Sequence, residues 1–430
     1  MKKTVFMLLP IILFGGSFED IAKRVDENLL LKSKQQQVAA MKKMVEVAKS
    51  KNFPTVDASL QYIRLKDTPT TSLHLPLPGM PPSIPMGTKD NFEGQIGFSY
   101  PIFTGFAITR AIEKSKLEYI KARLELKDLK RNLYIKLTDI YAAVYSLNEN
   151  IKALKEGLKA AKDAYKKAKG FYDQGLLAAA DLYNIEAKIY EIRADIENIK
   201  SQKTEFINML EYITGIKKDA DNLPQITVSA DKRALFKEAL SKREDILALK
   251  KELEISQKDI ELAASGYYPK IVALGALKRQ GNTVALDGNG FTNADQSFIG
   301  AVIKWNIFDG YATTRSKEAA SAKKLAAAYF YSDYVKKVET EIENSIVRIE
   351  SLSATKEAAV KQLRAQKEYY RLTKGKFNNQ LASADELSRS IAALSEAKAR
   401  LKTVESMLFR QKCRLLLQIS MKKFEEAVFR

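Results

Sequence analysis

The chain has 430 residues, with 71 Lys and Arg against 52 Asp and Glu, and it contains a single His and a single Cys. With only His74 and Cys413 available, the composition argues against a His/Cys metal cluster, a Ser-His-Asp triad or a disulfide framework. A charged fraction of 29% and a mean hydropathy of -0.26 exclude a polytopic helical membrane protein, and 46% hydrophobic residues exclude a wholly disordered chain. The net charge of +19 comes from Lys interspersed with Glu, which is typical of solvated helix faces.

The first residues follow the pattern of an export signal. Lys2 and Lys3 precede an apolar run at residues 5–14, and small residues follow at 15–17. The run is much shorter than the roughly 20 residues that a membrane-spanning helix needs. We therefore predict a signal peptide at residues 1–17. The alternative is a buried amphipathic start of the mature chain.

The chain contains an internal repeat. Residues 102–110 read IFTGFAITR and residues 307–315 read IFDGYATTR, which is an offset of 205. Upstream, Phe-Pro at 53–54 corresponds to Tyr-Pro at 268–269, which is an offset of 215. The difference falls where the first copy has a proline-rich segment, residues 69–85. Loops tolerate such length changes, so we interpret that segment as a loop.

Each copy is predicted to read helix, strand, strand, very long helix and second helix. The first repeat covers 18–216, the linker 217–232, the second repeat 233–420 and a C-terminal tail 421–430. The predicted strands are 53–66, 92–103, 268–279 and 297–308, and the predicted long helices are 107–170, 181–213, 311–375 and 384–418.

The long helices carry a coiled-coil pattern. From Leu133 to Tyr172, and again from Leu182 to Leu210, apolar residues recur at alternating spacings of four and three. A heptad seam of this length indicates packing against neighbouring helices. In the second copy, Lys356 and Gln366 interrupt the seam. Such polar positions either adjust helix register or line a water-filled interior, and the sequence permits both.

The strands alternate between apolar and polar side chains. Segments of about ten residues with this pattern match the strands of a transmembrane β-barrel, and a half-buried strand of a soluble sheet is the alternative. The candidate lipid-facing residues are Ile96, Phe98, Tyr100, Ile102, Ile299, Ile303, Trp305 and Ile307. Four strands are too few to close a barrel, so the chain is expected to oligomerise; a cyclic trimer would supply about twelve strands.

In this order and in duplicate, the motifs resemble those of the TolC-like outer membrane efflux proteins. The resemblance covers nearly the whole mature chain and rests on residues 101–105 with their partners 306–310, on the two Phe/Tyr-Pro pairs, and on the helix turn 172–182. It implies a mainly α fold with a small membrane β-barrel portion, assembled as a homotrimeric tunnel of α-barrel and β-barrel. It further implies a passive outer-membrane exit duct that crosses the periplasm to meet a periplasmic adaptor (membrane fusion) protein and an inner-membrane pump or ABC exporter.

By position, the resemblance also implies site residues. Acidic residues near the helix turns are candidates for a constriction, with Arg389 as a substitute for an Arg that some family members carry at the position of Ala382. The constriction candidates are Asp181, Asp385, Glu386 and Arg389, and the candidate adaptor contacts are Gly175, Leu176 and Leu381. The alternative is that the acidic residues are solvated helix caps. Gln380 stands where the second turn of the family usually has Gly.

Two other functional classes remain open at this point. A basic cytoplasmic coiled-coil protein, structural or associated with nucleic acid, fits the charge and the heptads, but it accounts for neither the alternating strands nor the export-like start. An enzyme is disfavoured because no nucleophile, base or cofactor loop can be assembled from the sequence. We therefore expect no enzymatic activity, no cofactor and no nucleic-acid partner.

Overall fold

A computed structural model describes residues 17–72 and 83–429. The predicted signal peptide lies outside these residues apart from Ser17. The chain forms two compact units. Unit 1 comprises Met1–Val38, Ala122–Leu249 and Tyr331–Arg430, and unit 2 comprises Ala39–Lys121 and Lys250–Phe330.

Helices dominate both copies of the repeat. In the first copy the elements are α1 (Phe18–Lys23), α2 (Leu29–Ser50), β1 (Thr55–Arg64), β2 (Thr70–Ser72), β3 (Ser83–Pro85), β4 (Asp90–Phe103), α3 (Ala107–Asp173) and α4 (Ala179–Thr214). In the second copy they are α5 (Lys232–Lys242), α6 (Glu244–Ala264), β5 (Lys270–Gly281), β6 (Phe298–Lys304), α7 (Ala312–Asn378) and α8 (Ala384–Ile419), followed by α9 (Met421–Val428). No helix of the described residues is both long enough and apolar enough to cross a membrane.

The duplication predicted from the sequence is confirmed in the lengths of the helices. Both α3 and α7 have 67 residues, and both α4 and α8 have 36 residues. The two ends of each helix are related by the same offset of 205 that relates the sequence motifs. At about 1.5 Å per residue, a helix of 67 residues is roughly 100 Å long. The mainly helical, duplicated fold is therefore as predicted.

The heptad seam forms the core of unit 1. Leu133, Leu137 and Val144 of α3 are buried, as are Ile185 and Ile189 of α4. In the second copy, Lys356 occupies a seam position and its Nζ lies 3.2 Å from a carboxylate oxygen of Glu405. The polar interruption therefore forms an ion pair between α7 and α8.

The C-terminal segment was predicted to be a tail, but most of it forms a helix. Residues 421–428 form α9, and Ser420 caps the helix by accepting a hydrogen bond from the backbone N–H of Lys423 at 3.1 Å. Phe424 is completely buried and packs edge-on against Phe18 at a centroid distance of 6.2 Å. Apolar side chains at Phe424 and Val428, four residues apart on one face of the helix, account for this docking.

Unit 2 contains a four-stranded antiparallel sheet in the order β1-β4-β5-β6. Strands β1 and β6 are its two edges. Strands β2 and β3 form a separate two-stranded sheet, so part of the segment interpreted as a loop is paired. Strand β6 is shorter than predicted and ends at Lys304, which leaves Trp305 and Ile307 in the connection to α7 and corrects the predicted strand boundary.

Candidate functional site

One face of the four-stranded sheet is apolar and open to solvent. The register places Ile96 opposite Leu277 and Ala58, and it places Ile303 opposite Ile271, so that these side chains share a face. All eight candidate lipid-facing residues are exposed, Ile299 to 83% and Ile303 to 69%. In a water-soluble sheet such a face would be covered, so this exposure points to an apolar environment.

The opposite face of the same sheet is mainly polar. Asp57, Ser59 and Gln95 lie on it, and the Nζ of Lys278 forms an ion pair with Glu93 at 2.9 Å. The alternation predicted from the sequence is therefore present in the folded strands. Apolar side chains also lie on this face, among them Phe298 and Val302 of β6 and Val272 and Leu274 of β5.

Two of the candidate lipid-facing residues lie beyond the sheet. Trp305 follows β6, and its indole Nε1 donates a hydrogen bond to the carbonyl of Tyr267 at 3.1 Å. Ile307 lies two residues further and is 84% exposed. These residues therefore belong to the connection into α7, where they continue the exposed apolar surface.

The first helix turn joins α3 to α4 and has the geometry of a glycine-ended helix. Gly175 has φ of +70°, and its N–H donates to the carbonyl of Tyr172 at 2.9 Å. The N–H of Leu176 donates to the carbonyl of Phe171 at 2.8 Å. A left-handed residue at this position satisfies carbonyls at the end of the helix. The side chain of Leu176 is left exposed.

The second helix turn, between α7 and α8, repeats this geometry without a glycine. Gln380 has φ of +58°, and the N–H of Leu381 donates to the carbonyl of Lys376 at 2.8 Å. Leu381 is 75% exposed. The two turns therefore present equivalent leucines in the same local conformation.

The structure brings only two of the four constriction candidates together. The Arg389 guanidinium lies 2.7 Å from the Asp385 carboxylate, one turn away on α8. Both side chains are well exposed. Within the described residues, neither Asp181 nor Glu386 forms an ion pair with Arg389. The backbone N–H of Glu386 donates to the Ser383 hydroxyl, so Ser383 caps α8.

Sequence reasoning missed a buried ionic cluster in unit 1. The Arg131 guanidinium donates to Asp245 at 2.8 Å and to the carbonyl of Leu417 at 3.2 Å. Arg243 also contacts Asp245, at 2.9 Å, and donates to the carbonyl of Gln418 at 3.3 Å. The cluster therefore holds the last carbonyls of α8 just before the chain turns into α9.

The electrostatics of this cluster follow from burial and from its two arginines. Burial raises the pKa of Asp245, but the guanidiniums of Arg131 and Arg243 lower it by more, so the pKa lies below its usual range. Burial and the hydrogen bond to Asp245 raise the pKa of Tyr334 to about 12. The run Arg243–Asp245 at the start of α6 was the available signal, but in the sequence it looks the same as a solvated helix start.

Comparisons with known proteins agree with this architecture. A family model described as "Outer membrane efflux protein" matches residues 23–215 and 235–416, which cover most of both repeats. No curated protein matches the sequence.

Several solved structures share the fold. The CmeC outer membrane channel of Campylobacter jejuni gives a TM-score of 0.78 at 16% identity, over 96% of this chain and 86% of its own. The outer membrane protein VceC of Vibrio cholerae gives 0.76 at 14% identity, over 95% of each chain. The outer-membrane channel OprN gives 0.78 at 17% identity, over 94% of this chain and 89% of its own.

The family match includes both repeats and agrees with the resemblance seen in the sequence motifs. It argues against the alternative of a cytoplasmic coiled-coil protein, which none of these comparisons supports. The chain belongs to the outer membrane efflux protein family and acts as an efflux duct of the outer membrane.

Proposed function

We propose that the duct is a homotrimer in which three four-stranded sheets close into one membrane β-barrel. The observation that carries this proposal is the sheet itself, which has two edge strands and an exposed apolar face. Edge strands in lipid leave backbone groups without hydrogen bonds, and closure removes both edges. The duct is passive in this proposal, and no catalytic step takes part in it.

Native mass spectrometry of the protein, extracted from outer membranes in mild detergent, tests the assembly. We expect three chains per particle and ion conductance when the particle is reconstituted in planar bilayers. A conducting particle with another number of chains would contradict the trimer but support the duct. A monomer without conductance would overturn both.

We further propose that the helix turns contact a periplasmic adaptor protein, which connects the duct to an inner-membrane pump or ABC exporter. Support comes from the equivalent exposed leucines, Leu176 and Leu381, together with the left-handed turn at Gly175. Apolar side chains at the end of two rigid helices provide a defined contact for a partner.

A photocrosslinking amino acid placed at Leu176 or Leu381 in living cells tests this contact. We expect covalent capture of an adaptor at both positions, and no capture from Gln202, an exposed residue within α4. Capture from Gln202 alone, or from neither turn while the duct still exports, would contradict the proposal.

Finally, we propose that Asp181, Asp385 and Glu386 narrow the duct and favour cations. Because Arg389 is paired with Asp385, it should weaken this preference. In planar bilayers we expect Asp385→Ala combined with Glu386→Ala to lower cation selectivity and Arg389→Ala to raise it. Unchanged selectivity in both variants would leave the acidic residues as solvated charges in the first turns of α4 and α8.

A further inference from the structure

Helices α3 and α6 are joined in unit 2 by a complete quartet of charged residues. Each helix contributes an intrahelical pair, Arg110 with Glu113 at 2.8 Å and Lys258 with Glu261 at 3.0 Å. The two pairs are then cross-linked, because Arg110 lies 2.9 Å from Glu261 and Lys258 lies 2.9 Å from Glu113. All four side chains are at most 37% exposed. The quartet is thus a partly buried contact between two helices.

The repeat predicts a second quartet, but the chain contains it as two separate halves. Shifting Arg110 and Glu113 by 205 gives Arg315 and Glu318 on α7, which form the same intrahelical pair at 2.7 Å. Shifting Lys258 and Glu261 back by 215 gives Lys43 and Glu46 on α2, which are paired at 2.9 Å. Within the described residues no ion pair joins the two halves, and their side chains are 56 to 76% exposed.

The turn between strand and long helix shows the same asymmetry. In the first copy, Gly105 has φ of +63° and is buried under the segment before β5. A Cβ placed there would lie 2.6 Å from the carbonyl oxygen of Ser265 and 2.9 Å from Cβ of Tyr268. The ring of Phe106 packs edge-on against Tyr268 at a centroid distance of 5.4 Å. Only glycine fits this close approach.

In the second copy the equivalent turn is uncovered. Gly310 has φ of +66° and is exposed, and a Cβ there would have nothing within 4 Å. Tyr311, the equivalent of Phe106, is 64% exposed. The segment that would cover it by repeat symmetry is Ser50 to Phe53, which is also exposed in this chain.

The pairing of β4 with β5 predicts, through the same two offsets, a register between the two edge strands. Strands β4 and β5 pair with Phe98 opposite Gly275. The same two offsets carry this pair to Ile303 on β6 and Leu60 on β1, the two edge strands. Both side chains lie on the exposed apolar face, so this register keeps apolar and polar faces aligned, whereas a slip of one residue would place Ile303 opposite Gln61.

We propose that a second copy of this chain completes these contacts, with its α2 and β1 against α7 and β6 of the first. Arg315 and Glu318 then pair with Glu46 and Lys43 of the next copy, and the Phe53 segment of that copy covers Gly310. Two observations favour a second copy as the partner. The two halves of the quartet carry complementary charges, and each chain already contains the complete equivalent contact between α3 and α6. The interface is head to tail, which gives a ring when the rotation between copies closes, as the proposed homotrimer requires. It rests on the homotrimer proposed above and specifies its contacts.

Disulfide formation tests the register. In the doubly substituted protein Leu60→Cys with Ile303→Cys, oxidation in the membrane should link neighbouring copies into covalent oligomers, because opposite residues bring their Cβ atoms to about 5 Å. The matched control is Gln61→Cys with Ile303→Cys, which should stay unlinked. Buried Cys413 is kept, and the single variants control for it.

The outcomes separate this inference from the function proposed above. Linkage through positions 60 and 303 alone supports the inference. Linkage through 61 and 303, or no linkage in a protein that still assembles into a conducting oligomer, overturns the register and leaves the duct intact. A protein that is not oligomeric overturns both proposals.

Charge reversal tests the quartet. Arg315→Glu should weaken association by about fivefold at each interface, the size of one exposed ion pair, and Glu46→Arg added to it should restore association. The control is Arg371→Glu, which removes an equally exposed intrahelical pair with Glu368 elsewhere on α7. An equal loss in the control, or no restoration in the double variant, would overturn the pairing.

Discussion

Among single residues, Gln380 adopts a backbone conformation that favours glycine. Its φ of +58° is left-handed, and the equivalent residue in the first turn is Gly175. A non-glycine residue in this region costs about 1–2 kcal/mol, and the greater freedom of glycine in the unfolded chain offsets part of it. We therefore expect Gln380→Gly to stabilise the protein by about 0.5–1 kcal/mol, measured as a higher midpoint of thermal unfolding in detergent.

The control for this substitution is Gln362→Gly, in an exposed and regular part of α7. Glycine there should destabilise the helix by about 1 kcal/mol. The two substitutions are chemically identical and differ only in the backbone angle of the site. If both lowered the midpoint, the strain assigned to Gln380 would be absent.

Asp245 is a buried carboxylate that pairs with two arginines. Its carboxylate contacts the buried guanidiniums of Arg131 and Arg243. Asp245→Asn leaves this charge only partly compensated, by Asp128 beside Arg131 and Glu341 beside Arg243, and should lower the free energy of unfolding at pH 7 by about 3 kcal/mol. The pKa of Asp245 is lowered by folding, so its stabilisation is present above its unfolded pKa and is lost as the pH falls through the lower folded value.

The difference between wild type and Asp245→Asn should therefore shrink below about pH 4. Burial raises the pKa of the neighbouring Glu244, which acts in the opposite direction but is common to both proteins. Urea unfolding of both proteins at pH 7 and pH 3 provides the measurement. A difference that stayed constant with pH would assign the loss to packing.

Among elements, α9 shows how a short helix can complete a core. Phe424 is fully buried against Tyr134, with centroids 5.2 Å apart, and against Phe18. We expect Phe424→Ala to destabilise the protein by about 3–5 kcal/mol, measured by urea unfolding, because it leaves a cavity. Glu426→Ala on the exposed side of the same helix should change stability by less than about 0.5 kcal/mol. Equal effects would mean that α9 is peripheral.

The elements that the sequence predicted well are those with long periodic patterns. The heptads from Leu133 to Tyr172 and from Leu182 to Leu210 lie within α3 and α4, and the repeat carries them to α7 and α8, so that the predicted bounds lie within three residues of the observed ends. Short elements carry less signal. The eight residues of α9 contain only two buried apolar side chains, Phe424 and Val428, which is too short a pattern to predict a docked helix. Strand β6 ends at Lys304, and its last predicted residues, 305–308, belong to the connection into α7.

The candidate site divides in the same way. Alternation locates the apolar sheet face, because side-chain direction in a strand follows from sequence parity alone. The glycine of the first turn was recognisable, and Gln380 was singled out through the family resemblance, which indicates Gly at its position; its left-handed conformation comes from the structure. The buried cluster around Asp245 depends on contacts distant in sequence, which a linear pattern does not specify. The pairing of Asp385 with Arg389 is an i,i+4 contact within α8, which the charge spacing could have indicated.

For the whole molecule, insertion into the membrane depends on which face of the sheet contacts lipid. Ile303 and Val302 are neighbours on β6 and point to opposite faces. If the apolar face contacts lipid, Ile303→Lys should impair insertion by about 2–4 kcal/mol near the middle of the membrane. Val302→Lys adds the same charge to the same strand on the polar face and should insert nearly normally.

The amount of protein recovered in purified outer membranes, relative to the total synthesised, measures this difference directly. Both variants have the same net charge, and both lose a β-branched residue. Effects on expression and strand propensity should therefore be the same in the two proteins. A deficit for Ile303→Lys alone would assign the apolar face to lipid. A deficit for Val302→Lys alone would mean that the opposite face of the sheet contacts lipid. The polar side chains of β4 and β5 would then lie against lipid, which cannot form hydrogen bonds with them.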